Sequence, residues 1–205
     1  MIVIVTGRYN GCFEKVKRLS HRRSLEVVMS SQFGVKKAYL LAGKPGSGKT
    51  TIIKEVLSKA GKSAGGFYTE EIRNQGIRQG FRIITLDGKS ATLAHSGISS
   101  PYRVSKYGVD ISSMDKVAIP ALREAIRSRD IVVIDEIGKM ELFSYSFRDA
   151  VIEALESEKR VLGTIMLASH PWADVVKRRA EVEIVPVTRS NRGEVVDKVL
   201  GWLES

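Results

Sequence analysis

From Ala38 onward the apolar positions fall into blocks that switch between strand-like and helix-like spacing. A buried run, Ala38 to Ala42, predicts a strand, and a helix-like stretch from about Lys49 to Lys59 follows it and stops at Gly61. Two β-rich runs come next, GGFYTEEIR and RQGFRIITL, separated by Asn74-Gln75-Gly76. Asp87-Gly88 then turns the chain into Ala91 to Ala94, so this region reads as an antiparallel hairpin or meander. A helical pattern from about Ser113 to Arg127 contains Pro120, which predicts a kink or a break. Ile131 to Ile134 is continuously apolar, as a strand buried on both faces would be. Ser144 is placed to cap a helix running to about Ser157, and a strand follows from Arg160 to Met166. A short helix (about Trp172 to Arg178), a strand (Val182 to Val187) and a helix from about Asn191 to Leu203 complete the pattern. Strands alternating with helices imply an α/β fold, a mostly parallel sheet with helices on both faces.

Residues 1–37 break this rhythm. Leu25 to Met29 is a short apolar patch, separated from Ala38 by the polar Ser30, Ser31, Gln32 and Gly34. The expected organisation is a basic N-terminal extension over 1–37 and one domain over 38–205. The extension reads equally as an edge element, a tail or a dispensable leader. Eight basic and two acidic side chains give it a net +6 of the chain's +10, and the other 168 residues carry only +4. That distribution gives a specific nucleic-acid role little weight. A domain of this size buries about 70% of its unfolded surface without metals or disulfides. The lone Cys12 excludes an internal disulfide and a four-cysteine metal site, as in a reducing cytosol. The opening MIVIV is too short for a signal segment, and no apolar run reaches the length of a membrane span, so the expectation is a cytoplasmic protein without a membrane partner. A monomer is the default expectation.

The chemistry starts at residues 43–50, GKPGSGKT, a complete G-x-x-x-x-G-K-[ST] phosphate loop between a strand and a helix. Gly43, Lys44, Pro45, Gly46, Ser47 and Gly48 form a turn tight enough for backbone N–H groups from about Gly46 to Thr51 to converge on triphosphate oxygens. Lys49 is placed to neutralise the β- and γ-phosphates, and the Thr50 hydroxyl to ligate Mg²⁺. About 85 residues downstream (135 against 50), Ile131, Val132, Val133 and Ile134 deliver two carboxylates, Asp135 and Glu136, to the carboxyl edge of the sheet. Asp135 suits the Mg²⁺ shell as a Walker-B aspartate does. Glu136 is the better general base for water attacking the γ-phosphate in line. Catalysis is therefore expected from Lys49, Asp135 and Glu136, with Thr50 and Asp135 serving the metal. The chain lacks the N-K-x-D guanine-reading motif and the S-G-G-Q run of transporter ATPases. A glutamate directly after the aspartate favours hydrolysis over kinase chemistry.

Five blocks, in order, resemble a known family. They are GGFYTEEIR (65–73), GIRQGFRIITLDG (76–88), YRVSKYGVD (102–110), VIDEIGKMELFS (133–144) and VTRSNR (187–192). Over about residues 38–200 the chain is similar to the THEP-type nucleoside-triphosphatases, whose vertebrate member is the cancer-related nucleoside-triphosphatase. The resemblance implies a RecA-like, additional-strand P-loop fold and Mg²⁺-dependent hydrolysis of several nucleoside triphosphates to diphosphate and phosphate. It also implies that nucleotide is contacted by Gly43 to Thr50 and by a second segment, 131–138, which adds Ile137 and Gly138 to the residues already named.

Other residues carry two readings each. Arg73, Arg78, Arg82 and Arg103 lie in extended segments that could fold over the triphosphate, one of them as an arginine finger; cross-strand pairing with Glu70 and Glu71 accounts for them nearly as well. Lys139 is a phosphate contact or a solvated loop lysine. Thr164 is a sensor for the attacking water or satisfies its own backbone. Thr188-Arg189-Ser190-Asn191-Arg192 precedes the last helix, where Asn191, Arg189 and Arg192 read either as nucleobase contacts or as part of a helix cap. His95 and His170 lack metal-ligand spacing, and Tyr68, Tyr102 and Tyr107 read as packing. The resulting expectation is a Mg²⁺-dependent nucleoside-triphosphatase tolerant of the base. Its rivals are a nucleotide or polynucleotide kinase and a nucleotide-gated RNA-binding module.

Overall fold

The computed structural model describes residues 36–205; the expectations for residues 1–35, Cys12 among them, lie outside the described residues. Lys36 and Lys37, counted above with the extension, hydrogen-bond into the domain. The Lys37 amide donates to Glu181 O at 2.9 Å, and the Trp202 indole donates to Lys36 O at 2.6 Å.

Among the described residues nine strands form one mixed sheet: β1 (Ala38–Ala42), β2 (Ala64–Asn74), β3 (Ile77–Thr85), β4 (Ser90–His95), β5 (Arg103–Val104), β6 (Tyr107–Val109), β7 (Ile131–Ile137), β8 (Arg160–Ile165) and β9 (Val182–Pro186). Their spatial order is β5-β6-β4-β3-β2-β7-β8-β1-β9. The run β2-β7-β8-β1-β9 is parallel throughout. β8 lies between the phosphate-loop strand β1 and the carboxylate strand β7, which is the additional strand of a RecA-like P-loop fold. β2 pairs parallel with β7 on one side and antiparallel with β3 on the other. The antiparallel part therefore continues the same sheet and is larger than a hairpin: β4, β6 and β5 extend it.

Period-two burial explains the layers. In β7, Val132 and Ile134 enter one core and Ile131 and Val133 the other, because successive side chains point to opposite faces. The first core is closed by α2 (Ile119–Ser128), α3 (Tyr145–Glu156) and α4 (Pro171–Lys177). The second is closed by α1 (Lys49–Lys59) and α5 (Arg192–Glu204), whose Val195, Val199 and Trp202 meet Ile52 and Val56 of α1. Ser144 caps α3 as expected, its Oγ accepting from Phe147 N at 3.0 Å. Pro120 sits in the first turn of α2, where its missing N–H costs no hydrogen bond. A π-helical turn, Met114–Ala118, leads into that helix, with Ile119 N donating to Met114 O, so the wider turn takes the place of a break. Among the described residues no helix is long and apolar enough to cross a membrane.

Candidate active site

The phosphate loop follows β1 and ends where α1 begins. Gly48 stands at φ 97°, a left-handed conformation that favours glycine. A Cβ there would also come within 2.5 Å of the Arg192 guanidinium, which would have to shift. Arg192, at the start of α5, donates from Nε to Ser47 O at 2.8 Å and so fastens the loop to the last helix. Lys49 donates to Gly43 O at 3.0 Å, which curls its ammonium back across the loop.

Asp135 is 2% exposed, and both its oxygens are engaged: Oδ2 accepts from Thr50 Oγ1 and Oδ1 from Thr164 Oγ1, each at 2.6 Å. The β7–β8 register shifts between Ile134 and Ile137, releasing residues 135 and 136 from regular pairing with β8, while Asp135 stays paired with Tyr68 of β2. Burial pushes the Asp135 carboxyl above its ordinary value, opposed by the two hydroxyls and by Lys49. Glu136 is raised too, first by burial and then by Asp135, while Lys49 pulls it down. Glu141, in a short 3₁₀ turn (Glu141–Phe143), is buried so fully that its carboxyl is pushed up to about 8, with Glu136 adding to the effect. The two glutamates meet across Gly138, where a Cβ would lie 2.8 Å from Glu141 Oε2 and 3.0 Å from Glu136 Oε1.

Lys49, Thr50, Glu136 and Glu141 open on one cleft of about 680 Å³, a typical size for a small-molecule site, while Asp135, held by Thr50, is not among the residues that line it. The loop from Gly43 to Thr51, Ser47 excepted, forms one wall, and Glu136, Gly138, Lys139 and Glu141 form the facing one. Ile131, Val132, Val133 and Ile134 have no exposed surface, so they position the carboxylates and cannot themselves touch a nucleotide. Ile137 is equally buried.

Within the described residues 38–200 the chain matches the NTPase family model. The chain belongs to this family. Among its relatives is a nucleoside-triphosphatase THEP1 from Thermotoga sp. (strain RQ2), 44% identical over 80% of this chain and 94% of the relative. The human cancer-related nucleoside-triphosphatase is 38% identical over 80% of this chain and 95% of its own length. The crystal structure of THEP1 from Aquifex aeolicus superposes with a TM-score of 0.74 at 37% identity, covering 82% of this chain and 99% of that one. These likenesses fix the P-loop α/β fold independently of the strand order.

Around this cleft the other residues singled out from the sequence divide. Thr164 has no exposed surface, and its hydroxyl donates to Asp135. Asn191 accepts from Thr188 N at 2.8 Å and donates to Pro186 O at 3.0 Å, so it braces its own loop and makes no side-chain cap to α5. Arg73 and Arg78 both pair with Glu71, Arg82 pairs with Glu70, and Arg103 donates to Lys106 O at 3.0 Å. Of those four only Arg78 lines the cleft. Arg189 is exposed, and so is Lys139, at the cleft wall. Sequence reasoning passed over Glu141. It stands as a single acid between Met140 and Leu142-Phe143, and a glutamate is so rarely buried that this local pattern gives no signal for it.

Proposed function

We propose that the chain hydrolyses nucleoside 5′-triphosphates, ATP, GTP, CTP and UTP alike, to diphosphate and phosphate in a Mg²⁺-dependent reaction. One observation carries the reading: Asp135 is gripped between Thr50 of the phosphate-loop helix and Thr164 of β8, while Lys49 and Glu136 line the same cleft. The Thr50 hydroxyl beside a carboxylate oxygen is a hard-oxygen pair that suits Mg²⁺, which takes one or two protein ligands and completes its shell with water and phosphate. Thr50 and Asp135 would hold the ion, which when bound spreads the charge on the β- and γ-phosphate oxygens.

The backbone N–H groups of the loop bind the phosphate tail, and the Lys49 ammonium turns from Gly43 O to the phosphates as charge builds toward the leaving diphosphate. Glu136 accepts a proton from the attacking water. Burial raises its pKa, which makes it a stronger base than a solvated glutamate, and Lys49 opposes that shift. Thr164 keeps Asp135 from rotating, which is positioning and not chemistry.

Base tolerance follows from where polar side chains are spent. Asn191 is committed to Thr188 and Pro186, and Arg192 to Ser47, so neither is free to read a base edge. Most binding energy then goes to the triphosphate that every substrate shares. Phosphate release from the four triphosphates with Mg²⁺ is expected to agree within about a hundredfold, the range that weak pocket contacts produce. A larger preference for one base contradicts the tolerance, and undiminished release in chelator contradicts the metal.

A further inference from the structure

Beyond the phosphate cleft lies a second cavity of about 630 Å³, between the β2–β3 turn and the β5–β6 turn. It adjoins the first, since Arg78, Phe81, Val104 and Met140 line both. Its chemistry differs from that of the phosphate loop. The Arg78 guanidinium lies 5.2 Å from the Phe81 ring centroid and 5.8 Å from that of Tyr107, and those two rings meet edge-on at 5.5 Å. Glu71 at 2.8 Å and the Tyr107 hydroxyl at 3.1 Å fix that guanidinium, so one cation and two rings form a single preorganised wall.

The charge around the cavity is unbalanced. Arg73, Arg78 and Lys106 line it, and Glu71 is the carboxylate that the two arginines share. Apart from Ser105 the remaining lining is apolar, and Ile77, at 60% exposure, offers its side chain to a ligand. Excess positive charge beside aromatic and aliphatic surface is the lining that recognises a flat ring carrying an anionic group.

We propose that this cavity is a second binding site, for a small aromatic anion of the nucleoside-monophosphate class, and that it fills at the same time as the triphosphate cleft. That it fills alongside a triphosphate rests on the proposed triphosphate site; the cavity itself does not. The ring packs against Ile77 and the Phe81–Arg78 wall, and the phosphate meets Arg73 and Lys106. Stacking contacts of this kind separate a nucleotide from a bare phosphate.

The test is calorimetric titration of AMP into full-length protein already saturated with Mg²⁺ and a non-hydrolysable imido analogue of ATP, so that the phosphate loop is occupied. Saturable one-site binding is expected, with inorganic phosphate and adenosine each at least about tenfold weaker, a difference of about 1.4 kcal/mol. Ile77→Asp and Lys106→Glu, both exposed positions outside the core, are expected to weaken AMP by about tenfold or more each. Absence of saturable binding overturns the proposal. So does affinity unmoved by both substitutions, or inorganic phosphate binding as well as AMP. Lys49→Ala without the analogue separates the two sites: AMP binding that persists there belongs to the cavity, and binding that vanishes belonged to the phosphate loop. None of these readouts needs turnover, so failure of the hydrolysis reading in the phosphate-release assay leaves this result separately readable.

Discussion

In the parallel half of the sheet the decisive carboxylate is buried: Asp135 is 2% exposed and held by two hydroxyls at 2.6 Å. In the antiparallel half Glu70 and Glu71 keep a third of their side-chain surface in solvent and pair with Lys54, Arg73, Arg78 and Arg82. Both halves carry acids at strand positions, and Glu70 and Glu71 line the same cleft as Glu136, but only the parallel half shuts water away from its aspartate. The difference is dielectric. Where water is excluded, each oxygen must be met by a fixed donor and a small displacement is costly. At the surface, water replaces a lost partner and an ion pair contributes about 0–1 kcal/mol. The parallel half should therefore respond to single-atom changes, and the antiparallel half should absorb whole side chains.

The sharpest break is Glu136→Gln, which keeps size and hydrogen bonding but cannot take a proton. Single-turnover phosphate release is expected to fall by about 10²–10⁴, the usual worth of a positioned general base, with nucleotide affinity unchanged. Unchanged turnover would remove Glu136 from that role.

Next comes Glu141→Gln, read as stability against pH. In the folded protein Glu141 holds its proton up to about pH 8, whereas its ordinary value is 4.5. Between those values the folded state binds more protons than the unfolded chain, so this group's contribution is full below about pH 4.5 and is lost as pH rises through about 8. Glutamine stays neutral throughout. Its unfolding free energy should exceed the parent's by a margin that grows from pH 5 to pH 8 and then levels, on the order of a few kcal/mol. A margin that is flat with pH would mean that the carboxyl is ionised in the folded protein.

How much of this contrast the sequence carried depends on which residues must meet. The phosphate loop is one contiguous segment, so its glycines, Lys49 and Thr50 were legible as a motif with a mechanism. The Asp135–Glu136 pair was legible from the apolar run that ends in it. The grip of Thr164 on Asp135 was not, because it spans 29 residues and depends on β8 standing beside β7, a neighbour relation that periodicity does not encode. Arg192 and Ser47, 145 residues apart, met for the same reason out of sight of any local rule. The extent of the antiparallel region was underread because β5 and β6 have only two and three residues, too short to show alternation. The arginine pairings were half legible: cross-strand acids were visible, but register alone decides that Arg82 faces Glu70.

Thr164→Val tests the buried side at a smaller scale. Valine fills nearly the same volume and removes one hydroxyl, leaving Asp135 Oδ1 without its donor. Loss of a hydrogen bond that orients a metal-binding group typically costs about 10–100-fold in metal affinity, so the Mg²⁺ concentration giving half-maximal turnover should rise by that factor. A rise in KM for the triphosphate at saturating Mg²⁺, with the Mg²⁺ dependence unmoved, would place Thr164 elsewhere in the mechanism.

The smallest effect belongs to Arg82→Ala, and it decides whether the contrast is real. Arg82 donates to Glu70 Oε2 at 3.0 Å, and that pairing holds the Glu70 carboxyl below its ordinary value. Lys54 already contacts the same carboxylate at 3.2 Å, and Arg82 does not line the cleft. Removing the guanidinium leaves Glu70 paired and solvated, so stability should change by less than about 1 kcal/mol and turnover by less than about threefold. A hundredfold loss of turnover would instead mean that β3 swings Arg82 onto the triphosphate during the reaction. The antiparallel half would then be part of the catalytic apparatus, and its ion pairs would be the resting contacts of a moving arginine.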